Sequence, residues 1–169
     1  MSAREHPDLP WLPAAEAILQ AAIEGDLMKA GDAIGDALDK YGSEVLPGFA
    51  MAWVDTLRAH IGVPIGATVH THHICATHDH ETDTPPADVA WAGRIITARI
   101  GRDQAAFMVL LEEANNEGWA DKITELILVV AQTINVAAQR PVAVRRGAAF
   151  GVRPQVAHTH GLDNVRPPV

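Results

Sequence analysis

Apolar residues recur at helical spacing in six separate stretches of this chain, and each is bounded by residues that start or stop a helix. The first runs through Leu12, Ala15, Ile18, Leu19, Ala22 and Ile23, behind Pro10 and Pro13, and breaks at Gly25. Asp26 can cap the second, which carries Leu27, Ala30, Ile34, Leu38 and Tyr41 and ends at Gly42-Ser43. The third places Leu46, Phe49, Trp53, Leu57 and Ile61 on one face, with Pro47 in its first turn. Past Thr84-Pro85-Pro86 the period returns with Val89, Ala92, Ile95, Ile96 and Arg99, up to Gly101. Asp103 can cap a stretch bearing Ala106, Phe107, Leu110, Leu111 and Ala114, after which Asn115-Asn116-Glu117-Gly118 turns the chain. The last stretch, Trp119 to Gln139, is the most apolar, and Pro141 stops it. Such stripes are buried by packing helix on helix. The expected fold is therefore all-α: a small bundle of five or six helices over residues 1–140, interrupted by a loop at 62–88 and followed by an irregular tail at 141–169.

The punctuation also repeats. Gly25-Asp26, a helix, Gly42 and a second helix through Trp53 echo Gly101-Arg102-Asp103, a helix, Gly118 and a helix through Val129. Two pseudo-repeated helical hairpins would produce this, although any two capped helices share some of the pattern. Gly31 and Gly35 lie one turn apart and cost helix propensity, so a close helix–helix approach is expected there. Trp53, Trp91 and Trp119 sit at core spacing, and Trp11 is placed to staple the N-terminal segment to the bundle. Glu112, Glu113, Glu117, Asp121 and Glu125 read as a solvated helix face.

The chemistry-bearing segment lies between the third and fourth stretches. Five of the nine histidines, His70, His72, His73, His78 and His80, fall within eleven residues, with Cys75 and Asp79 among them and Glu81 closing the run. Residues i and i+2 of an extended segment share a face, so His70-Thr71-His72 and His78-Asp79-His80 can each offer two imidazoles to one ion. Four nitrogens brought together suit a tetrahedral divalent transition metal, most naturally Zn²⁺, with His73, Cys75 and Glu81 as substitute ligands. His158-Thr159-His160 in the tail repeats the motif and can complete a site in the same or a neighbouring chain. Two other readings fit the same residues: a solvated His-rich loop and a pH sensor. β-branched residues between Thr68 and Cys75 allow a short hairpin. There is no His-Glu-x-x-His, no glycine-rich phosphate loop and no Glu-x-x-His on a helix, and Ile74-Cys75 break the His-x-His-x-Asp-His pattern.

Bulk properties narrow the function classes. A formal charge of −8 disfavours nucleic acid as a partner of the acidic body. From Arg140 onward five arginines face one aspartate, so that part carries +4 and the remainder −12. Nucleic acid or another acidic partner is conceivable only for this basic tail. A hydrophobic content of 48% with 5% aromatics fits a globular, Ala-rich helical chain. The apolar run from Leu126 to Ala138 contains Gln132, Thr133 and Asn135 and is too short for a bilayer. One cysteine and no apolar signal region at the N-terminus lead to a cytoplasmic expectation. The reading is a helical binding or assembly protein, with a protein partner or self-association, whose His-rich loop binds metal. The alternatives are a zinc-type hydrolytic enzyme, in which three ligands leave an open position for water, and a metal-free adaptor.

Overall fold

A computed structural model describes residues 9–72 and 86–138, and the backbone of 161–166. All six periodic stretches are helices: α1 (Leu12–Ile23), α2 (Leu27–Tyr41), α3 (Leu46–Ile61), α4 (Ala87–Ile100), α5 (Gln104–Glu117) and α6 (Trp119–Ala137). A 3-10 turn at Ser43–Val45 leads into α3. Both expected aspartate caps form. Asp26 Oδ1 accepts from Lys29 N at 3.0 Å, and Asp103 Oδ1 accepts from Ala106 N at 2.9 Å.

The echo in the sequence has a geometric counterpart. At the α1–α2 turn Asp26 N donates to Ala21 O at 3.0 Å, and at the α4–α5 turn Asp103 N donates to Ala98 O at 2.9 Å. The residue before each cap is left-handed: Gly25 at φ +82° and Arg102 at φ +59°. Glycine adopts that conformation freely, whereas a side chain there costs about 1–2 kcal/mol. Gly42 and Gly118 are left-handed at the second turn of each half.

Helices α3 and α6 meet at the centre, with α1 and α4 packed beside them and α2 and α5 outermost. Every residue from Glu125 to Asn135 is buried, as expected of a helix packed all round. Trp53 and Trp91 are completely enclosed, and each ties two helices by its indole N–H. Trp53 Nε1 donates to Ala15 O at 2.8 Å and Trp91 Nε1 to Leu110 O at 2.9 Å. Trp11 does staple the N-terminal segment. Its ring lies 5.7 Å from that of Phe49, and a Cβ at Gly48 would stand 2.6 Å from it, so any side chain there would displace the indole.

Three expectations change. The 62–88 segment is not loop throughout, because Thr68–His72 form strand β1 and α4 begins at Ala87. Among the described residues β1 pairs antiparallel with β2 (Gly161–Arg166), so this part of the tail is regular. Second, Glu125 is buried, Glu117 is hydrogen-bonded to Lys122, and Glu113 pairs with Arg94, so the acidic series on α5 and α6 is only partly a solvated face. The cations that pair with Glu113 and Glu117, Arg94 and Lys122, lie on α4 and α6. Third, Gly31 and Gly35 make no close approach: both are exposed, and a Cβ at either would meet nothing within 4 Å. α2 packs on α1 through its other face, where Ala30 and Ala37 are buried.

Two glycines in an exposed helix interior cost backbone entropy without a packing return. The double substitution Gly31→Ala/Gly35→Ala is expected to raise stability by about 1–2 kcal/mol in urea unfolding. A loss of stability instead would show that this face of α2 is packed.

Candidate functional site

β1 is set against the body by its first half. Ala67 and Val69 are buried in the core, and Gly66 N donates to Ile100 O at 3.0 Å, tying the strand to the end of α4. His70 and His72 occupy the alternate positions after Val69. The register pairs Thr68 with Arg166, His70 with Asp163, Thr71 with Leu162 and His72 with Gly161, with an irregularity between Thr68 and His70. Directly opposed residues in an antiparallel pair share a face, with Cβ atoms about 4.5–5.5 Å apart. His70, His72 and Asp163 therefore belong to one face of the ribbon.

Two histidine positions and one aspartate position on one face of a ribbon are a residue set whose chemistry suits a divalent transition metal. Asp163 was not foreseen as a member. In the sequence it is only the lone acid among the tail arginines, and no spacing rule connects it to His70. In the sequence His160 immediately precedes Gly161, the residue opposite His72. His73, Cys75, His78, Asp79, His80 and Glu81, together with His158 and His160, lie outside the described residues. Among the residues whose side chains are described, no group of three His, Cys, Asp or Glu could hold a metal ion, so the ribbon register alone bears on the metal reading.

A second polar feature lies below β1, where the ends of α3 and α4 meet the start of α5. It is a groove of about 410 Å³. Asp55 and Arg99 line it as an ion pair: Arg99 Nε donates to Asp55 Oδ1 at 3.0 Å and Nη2 to Oδ2 at 2.8 Å. The hydrogen bonds to Asp55, reinforced by its charge, raise the Arg99 pKa further against the opposing effect of burial. The guanidinium also lies 5.8 Å from the centre of the Phe107 ring. Arg58 Nη1 donates to Val63 O at 3.2 Å, and Arg102 stands at the rim.

Among the described residues no helix is long and apolar enough to cross a membrane. Comparison with protein-family models, curated proteins and solved structures finds no match to this chain.

Proposed function

We propose that this chain is a small helical binding or assembly protein that takes a divalent transition metal, zinc above all, at the β1–β2 ribbon. His70, His72 and Asp163 supply the first donors, and the neighbouring His-rich segment, with His158 and His160, supplies the rest. The observation that carries the reading is the cross-strand pairing of His70 with Asp163 beside His72. Metal bridging the ribbon would couple the middle of the chain to its tail. A holding role of that kind is one of assembly rather than of turnover.

Titration of Zn²⁺ into the full-length, untagged chain tests it by calorimetry. Micromolar or tighter binding is expected, with His70→Ala/His72→Ala abolishing the heat and Asp163→Asn weakening it about tenfold or more. Imidazole must be neutral to ligate, so affinity falls as pH drops through about 6.5. Helical circular dichroism should stay unchanged in both variants, since none of the substituted residues lies in a helix. Equal heats from wild type and the double variant, or none from either at micromolar metal, would overturn the assignment.

A further inference from the structure

The two halves of the molecule use the same helix–helix turn, but fill its left-handed position differently. Gly25 holds it in the first half and Arg102 in the second. The backbone around both is closely matched: the following aspartate has φ −85° and ψ 75° at Asp26, and φ −79° and ψ 84° at Asp103. Glycine thus satisfies this turn without strain elsewhere in the same molecule. Among the described residues Arg102 is the only non-glycine with positive φ. A strained position retained without a fold requirement points to work done by its side chain.

That side chain borders the groove between α3, α4 and α5. The Arg102 side chain has no hydrogen-bond or ion-pair partner among the described residues, and the Arg58 guanidinium donates to a backbone carbonyl. The two acids beside them have other partners: Asp55 pairs with Arg99, and Asp103 caps α5. Two guanidinium groups therefore border one groove without an ion-pair partner among the described residues, in a body whose charge is strongly negative. Its apolar wall is Ile65, which is 54% exposed, with the buried Phe107 behind the Arg99 guanidinium. A volume near 410 Å³ matches a small molecule, and guanidinium forks recognise planar or tetrahedral oxyanions.

We propose that this groove binds a small organic anion, with its phosphate or carboxylate group held by Arg58 and Arg102 and its apolar part against Ile65. The site is independent of the ribbon and of any metal.

Calorimetry on the full chain, with phenyl phosphate and benzoate as probes, identifies the headgroup. At least one probe is expected to bind in the micromolar to low-millimolar range, and the better probe names the class. Arg102→Gly removes the charge while supplying the residue that the twin turn already uses. It should melt at the same temperature as wild type or higher, yet bind the preferred probe about tenfold more weakly or worse, as expected for loss of a charge-assisted hydrogen bond. Ile65→Ser should weaken the aromatic probe and leave inorganic phosphate unaffected. Failure of both probes at millimolar concentration, or equal affinity in wild type and Arg102→Gly, would overturn the proposal.

Discussion

Trp53→Ala is expected to destabilise the helical body by about 3–5 kcal/mol, a large share of the 5–15 kcal/mol available to a domain of this kind. The indole is 1% exposed, and it fills the space between α1 and α3 beside Phe49, ring centres 5.7 Å apart. Truncation empties that volume and removes the N–H bonded to Ala15 O. The carbonyl belongs to helix α1 and keeps its place in the backbone ladder, so most of the loss comes from the cavity rather than from an orphaned acceptor. Trp53→Phe therefore separates the two contributions, at a cost nearer 1 kcal/mol for the hydrogen bond plus a smaller void. Urea unfolding followed by circular dichroism reads both. A change below 1 kcal/mol for the alanine variant would mean that the indole is not the spacer between these helices.

Lys122→Ala is the second large effect, expected near 2 kcal/mol. The Lys122 side chain is 4% exposed, with Nζ 2.9 Å from Glu117, 3.3 Å from Asp88 and 5.9 Å from the Trp91 ring centre. Removing a buried charge partner can cost about 3–5 kcal/mol, but Asp88 and Glu117 are 36% and 61% exposed and regain water when the lysine leaves. Lost packing of the aliphatic stem on the indole makes up part of the remainder. Burial alone would lower the lysine pKa; the hydrogen bonds to Glu117 and Asp88, together with their charges, outweigh it and leave the pKa above the ordinary value. A raised folded-state pKa stabilises the fold while the amine is protonated in both states. The stability gap between wild type and variant should thus hold steady from neutral pH to about 10.4 and shrink as pH climbs through the folded value above it. A gap that narrows below pH 9 would rule out this ammonium as its source.

Where information was local, it could be read from the residues. Asp26, Asp103, Gly42 and Gly118 mark helix boundaries because caps and left-handed turns depend on a few adjacent residues, and all six helices followed from them. Orientation was less accessible. Period alone shows that α2 has an apolar stripe, but Gly31 and Gly35 fit a packed interface and a bare surface equally well until α1 is seen on the other side. Glu125 was misread for a similar reason, since surrounding helices cover every face of α6. The candidate sites were half legible: clustering singled out His70 and His72, whereas Asp163 joins them only through strand register. Arg58, Arg99 and Arg102 carry no motif. Asp55 and Arg99, 44 residues apart, meet only because α3 and α4 pack side by side.

The pairing of β1 with β2 also has a consequence during synthesis. Chains emerge N-terminus first, and every helix of the body precedes β2 in order of appearance. The bundle can close while the edge of β1 still presents its backbone donors and acceptors, and an open edge of that kind recruits strands from other molecules. Occupation of that edge by residues 161–166 is thus a late act of self-protection: the chain supplies from its own tail the strand that a neighbouring nascent chain would otherwise offer.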